Sequence, residues 1–242
     1  MTHIHVPDGV LPGWLVLVGW VALGLVLALA TRKAGSGDRR RLPLVGVASA
    51  LMLVAMSLEI APIAYHLNLT VLTGILLGPA LGCVAAFVTT VFLALVGHGG
   101  ITVIGLNATL LCLEVLVGWT VFKTLSGVRP LEKPGRRAAA ATLLALAAST
   151  AVAVGAVVAS GPAWSQAAHE WLEAAGFMPS QQTFSPSRLI IVVLVLAPAG
   201  WLLEAAVTGG LVSFLSRVRP ELLGDGTAPK RTSPPGDAQG GK

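Results

Sequence analysis

The sequence predicts an all-α, polytopic membrane protein of about seven transmembrane helices, with its amino terminus outside and its carboxyl terminus in the cytoplasm. Three observations carry this reading. The 242-residue chain is 55% hydrophobic and only 11% charged, with a mean hydropathy of +0.81; a soluble domain is roughly 25% charged. Its uncharged runs approach or exceed the ~20 residues that a spanning helix needs. Its Lys and Arg gather after alternate runs. The charge deficit excludes an ordinary soluble enzyme, a disordered chain and a fibrous protein. The 28 Gly and 15 Pro fit membrane helices, where small residues allow close packing. A net charge of +5 alone would suit nucleic acid, but its placement points to a membrane surface, so lipid and not nucleic acid is the expected surrounding. Cys83 and Cys112 sit inside apolar runs and read as small buried hydrophobes, not a disulfide framework.

The runs follow in order. Residues 14–31 form the first, closed by Arg32 and Lys33; residues 42–58 form the second, closed by Glu59. Residues 67–97 are too long for one span, and Gly78-Pro79 divides them into a short helix near 68–79 and a second near 80–97. Residues 101–122 follow with Glu114 inside, then the Ala- and Val-rich 138–159, then 189–216 with Glu204 inside.

Lys and Arg in short loops stay cytoplasmic. Arg32, Lys33, Arg39, Arg40 and Arg41 follow the first run. Lys123, Arg129, Lys133, Arg136 and Arg137 follow the fifth, and Arg217, Arg219, Lys230, Arg231 and Lys242 follow the last. All fall on one side of a seven-helix path; only Arg188 falls on the other. The expected organisation is an extracytoplasmic arm (residues 1–12), a transmembrane domain (13–217) and a cytoplasmic tail (218–242) that is disordered from Gly224. The first residues lack Lys and Arg, the reverse of a secretory signal, so the arm is expected to be retained, in a multi-pass protein of the cell membrane.

On this path all five histidines, His3, His5, His66, His98 and His169, lie on the outer side. Neutral imidazole is the commonest metal ligand. His169, among Gln166, Glu170 and Glu173, reads as a solvated loop residue. The start, Met1-Thr2-His3, is more specific. An amine, intervening amides and an imidazole form fused chelate rings whose field suits Ni(II) or Cu(II) in tetragonal geometry. Met1 supplies the amine, or Thr2 does if Met1 is removed. His3 then supplies an amide and an imidazole nitrogen, His66 can complete a four-nitrogen plane, and His5 is a spare or alternative ligand.

These residues have a familiar pattern. His5-Val6-Pro7-Asp8-Gly9-Val10-Leu11-Pro12 resembles the opening of the CbiM/NikM family, the substrate-capture subunits of energy-coupling-factor transporters for cobalt and nickel. Thr73-Gly74-Ile75-Leu76-Leu77-Gly78-Pro79 resembles the family's Gly-Pro segment. His98-Gly99-Gly100-Ile101-Thr102 with Gly105 and Asn107 resembles its His-Gly-Gly motif, and Glu204 with residues 217–221 resembles its end. The likeness spans most of residues 3–223. It implies a metal held by the terminal amine, the amide and imidazole of an N-terminal histidine, and a loop histidine, here His66. It also implies supporting roles for Asp8, His98 and Asn107. Two departures matter. Tyr65-His66-Leu67-Asn68 differs from the family's usual surroundings, and His5, which aligns by Pro-Asp-Gly, lies four residues from the start. Alignment by chain end instead makes His3 the ligand, and the chelate's need for an adjacent amine favours it. Gly99-Gly100 is expected to admit the arm's backbone closely.

The resemblance implies an importer component carrying Co2+ or Ni2+ as its transported ligand, with cobalamin biosynthesis as one destination. Its partners would be ATPase subunits, a transmembrane coupling subunit and a small accessory membrane subunit. The chain has no phosphate-binding loop of the Gly-x-x-x-x-Gly-Lys-Ser/Thr type, so ATP hydrolysis is expected elsewhere. The alternative is a proton-coupled carrier using Glu114 and Glu204, since carboxylates within apolar runs are functional candidates. A membrane-embedded hydrolase lacks support, because neither His-Glu-x-x-His nor a serine elbow occurs.

Overall fold

The computed structural model describes residues 8–9, 11–33, 41–58, 66–160 and 186–223, with backbone alone for 186–193. Among these residues the chain is all-helical, with seven α-helices and short 3-10 turns. In chain order they are α1 (Gly13–Lys33), α2 (Leu42–Ser57), α3 (Thr70–Leu77), α4 (Pro79–Leu95), α5 (Ile104–Thr124), α6 (Pro134–Ala159) and α7 (Pro186–Val218). Residues 13–32, 104–127, 134–159 and 194–218 are long and apolar enough to cross a membrane, while α2 and α4 are shorter apolar helices.

Proline opens several helices. It stands in the first turn of α2, α4 and α6, where the missing N–H would have no helical partner. Gly78, at φ 83°, joins α3 to α4 in a conformation that side chains disfavour. The division expected at Gly78-Pro79 is therefore present. The short helix begins at Thr70 rather than 68, because residues 66–69 are irregular and Leu69 takes a left-handed conformation.

The core lies around α3, α4, α5 and α6. Val71, Leu72, Ile75, Cys83, Ala86, Leu93, Leu111, Cys112, Val115 and Phe122 pack in one cluster. Both cysteines are free and buried there, as their apolar neighbours predict. Arg137 of α6 lies over the Phe122 ring, 4.6 Å from its centre. In contrast, α1 and α2 expose Leu17, Val18, Val21, Leu25, Val47, Leu51 and Val54. An apolar outer face of this size suits lipid or another membrane protein better than water.

Helix α1 rests closely on α5. A Cβ at Gly19 would lie 2.7 Å from the Leu106 nitrogen, and one at Gly105 would lie 2.6 Å from the Trp20 nitrogen. The paired glycines let the two backbones meet and leave the Trp20 indole N–H to reach the Thr102 carbonyl at 2.8 Å. This contact ties α1 to the loop before α5, the first element of the site.

Candidate functional site

Two irregular segments meet at one end of the bundle. Residues 96–103 join α4 to α5, and residues 66–69 lead into α3. They bring His98 and His66 together, with ring centroids 5.9 Å apart and planes at 84°. His66 is buried and His98 is half-buried. Burial, reinforced by the His98 imidazole, pushes the His66 pKa down from 6.5 to about 4. The imidazole is therefore neutral at ordinary pH, the form that ligates a metal.

Asp8 docks on the same loop. Its carboxylate accepts the Ile101 and Thr102 backbone N–H groups, each at 2.8 Å, and the Thr102 hydroxyl. The Thr102 hydroxyl is the leading reason its pKa lies below 3.8, with the backbone donors adding to the effect. Gly100 makes room for this contact, since a Cβ there would lie 2.5 Å from the Asp8 nitrogen. The close approach expected of the Gly99-Gly100 pair is thus made at Gly100. It fixes the chain at Asp8 beside the loop that carries His98.

Asn107 is buried in the first turn of α5. Met1, Thr2, His3, His5 and His169 lie outside the described residues. Among the described residues no three His, Cys, Asp or Glu side chains converge on a metal position.

The two intrahelical carboxylates are fully buried beneath this end. Glu114 of α5 accepts the Asn68 side-chain amide and the Ser149 hydroxyl, each at 2.6 Å. The Thr70 hydroxyl lies 2.6 Å from Glu114 Oε2 and 2.7 Å from Asn68 Oδ1. It has one proton to give, and the carboxylate is the stronger acceptor. Asn68 Oδ1 in turn accepts the Thr70 backbone N–H at 3.0 Å. Glu204 of α7 accepts the Leu69 N–H at 3.1 Å and the Asn68 N–H at 3.5 Å. Sequence reasoning singled out both glutamates but missed Asn68, Thr70 and Ser149. The available signal was Asn68 at the head of an otherwise apolar run, since an amide buried among helices needs a partner.

Seven helices with an apolar outer face, and a paired-histidine end built on irregular segments, define a polytopic membrane protein with its polar chemistry at one end. Within that class the chain belongs to the CbiM family: the model for the cobalt uptake substrate-specific transmembrane region matches residues 5–222. This is a family of metal transport proteins. A Haloquadratum walsbyi protein assigned provisionally to metal transport is 31% identical over 229 residues, covering 91% of this chain and 93% of that protein. The Geobacter sulfurreducens cobalt transport protein CbiM is 30% identical over 254 residues, covering 95% of this chain and 67% of that protein. A crystal structure of a truncated transition metal transporter shares the fold at a TM-score of 0.68 and 20% identity, covering 89% of this chain and 99% of that one.

Proposed function

We propose that this chain is the ion-capture subunit of an ATP-driven energy-coupling-factor importer for divalent cobalt or nickel. The observation that carries the reading is the buried, neutral His66 held against His98 at the end where Asp8 docks the amino-terminal arm. The arm brings the remaining donors: the terminal amine on Met1 or Thr2, the amide and imidazole of His3, and His5 as an alternative or further ligand. Asp8 fixes the arm and His98 packs against the ligating ring. Asn107, buried in the first turn of α5, is assigned a supporting role on the family resemblance.

Nitrogen donors and a planar field favour Ni(II) among first-row ions near Co(II), while the names of the relatives favour cobalt. This end faces outward on the distribution of Lys and Arg, with the carboxyl-terminal tail in the cytoplasm. The hydrolysis of ATP then falls to separate subunits, reached through a membrane coupling subunit. The proton-carrier alternative loses its motive in the arrangement of Glu114 and Glu204, whose hydrogen bonds go largely to the segment bearing His66.

The test uses the purified full chain in detergent. Metal analysis after Co2+ or Ni2+ loading, with the mass of the first residue, should find about one ion per chain, as one planar site requires. His66→Ala and His3→Ala should abolish or greatly weaken binding, while His169→Ala leaves it unchanged. Equal, small effects of all three would remove the reading.

A further inference from the structure

Four donors to the two buried carboxylates come from residues 68–70. They are the Asn68 and Leu69 backbone N–H groups at Glu204, and the Asn68 amide and Thr70 hydroxyl at Glu114. A further donor, Ser149, belongs to α6. A carboxylate that merely joined helices would draw its donors from helices. These instead grip the irregular residues that follow His66 and the first residue of α3.

The backbone there needs such a grip. Leu69 is the one non-glycine residue with positive φ, at 57°, among the described residues. A branched side chain holds that conformation only where its surroundings impose it. Glu204 takes the Leu69 N–H, the Leu69 carbonyl accepts the first helical bond from Thr73 at 3.0 Å, and the Leu69 side chain is buried in the main core. Two consecutive N–H groups aimed at one anion form a nest, which fixes the local turn. Asn68 has its amide on Glu114 and its oxygen on the Thr70 N–H, so it cannot rotate without losing both.

Resting on the capture reading above, we propose that Glu204 and Glu114 are positioning residues for the ion: through residues 68–70 they set the direction in which the His66 imidazole points. A planar nitrogen site is directional, so a turned ring loses overlap even when it stays nearby. The carboxylates act on the ion through the segment that carries its ligand, not by contact. Such outer partners typically govern roughly ten- to hundredfold of metal affinity.

The experiment uses the full chain in detergent with Ni(II) alone as the probe. It measures affinity by competition with a chelator and geometry by the visible d–d absorption and circular dichroism of the bound ion. Thermal unfolding of the metal-free chain is followed in parallel. Glu204→Gln keeps the size of the side chain but places an amide against N–H donors. It should weaken Ni(II) binding about ten- to hundredfold and shift the d–d band in the folded protein. Thr70→Val, which removes the hydroxyl at Glu114, should act in the same direction, and Thr70→Ser should restore both affinity and band. If Glu204→Gln does not fold, the Thr70 pair decides alone.

Folded Glu204→Gln and Thr70→Val proteins with the wild-type affinity and band would overturn the proposal. His66→Ala separates the two readings. Loss of binding in His66→Ala beside normal Glu204→Gln and Thr70→Val proteins removes only the positioning role. Normal binding in His66→Ala removes the capture reading and the positioning role together.

Discussion

Asp8 and Glu204 each accept two consecutive backbone N–H groups from an irregular segment, one at an exposed position and the other with no solvent contact. The pattern is the same and the surroundings are opposite. At Asp8 water can replace either partner, so the contact selects where the arm lies without greatly stabilising the fold. At Glu204 nothing replaces the carboxylate, and the N–H groups of Asn68 and Leu69 depend on it. The exposed clamp competes with water while the buried one does not. That division suits the proposed capture site, in which a terminal arm would meet His66.

The largest effect should come from breaking the buried clamp. Glu204→Leu leaves two buried donors without an acceptor, at about 1–3 kcal/mol each. Chemical unfolding of the metal-free chain should show a loss of about 2–6 kcal/mol on that basis, together with faster amide exchange at residues 68–70. An unchanged midpoint would mean that water reaches this segment and that the contrast with Asp8 is false.

A pH series separates the two ends next. The His66 pKa is lowered from 6.5 to about 4, so between these values the unfolded chain binds more protons than the folded one. The His66 contribution to the stability of the metal-free protein should therefore fall as pH drops from about 6.5 to about 4, by a few kcal/mol at most since one unit is worth about 1.4 kcal/mol. His66→Gln should flatten that slope. Asp8 behaves in the other range. Its folded pKa lies below 3.8, so its contribution is complete above that value and is lost only as pH falls through the lower one. A His66→Gln profile parallel to that of the wild type between pH 6.5 and 4 would contradict the burial of His66.

The smallest effect belongs to the exposed clamp. Asp8→Asn weakens the contacts to Ile101 and Thr102 and should reduce Ni(II) affinity by roughly two- to fivefold, the equivalent of about 0.5–1 kcal/mol. The melting temperature should barely move. Gly100→Val should exceed it, because the new side chain occupies the seat of Asp8 itself. If Asp8→Asn destabilised the fold as strongly as Glu204→Leu, the two clamps would not differ in kind.

Much of this was legible in the sequence. Seven helices could be drawn from the uncharged runs, and the break at Gly78-Pro79 was visible because Pro cannot continue a helix and Gly tolerates its φ of 83°. The burial of Cys83 and Cys112 followed from their apolar neighbours. Glu114 and Glu204 stood out as carboxylates where charge is costly, and Asp8, His66 and His98 as members of compact motifs. The links between them were not legible. Asn68 and Glu204 are 136 residues apart, and no periodicity relates them. Nor did spacing reveal that His66 lies inside the bundle. An approach to a helix that begins with a left-handed Leu69 has no signature in residue type, because leucine ordinarily avoids that conformation.

By itself, then, the sequence determined the environment and the elements: sparse charge fixed lipid as the surrounding medium, run length fixed the helices, and the distribution of Lys and Arg gave the expected orientation. Those are local or additive properties, summed along the chain without knowledge of what touches what. Only the tertiary structure decided that two carboxylates serve the histidine segment and that Asp8 closes on the loop of His98. Hydrogen bonds are short-ranged and directional, so partners far apart in sequence are chosen only when packing brings donor and acceptor within reach.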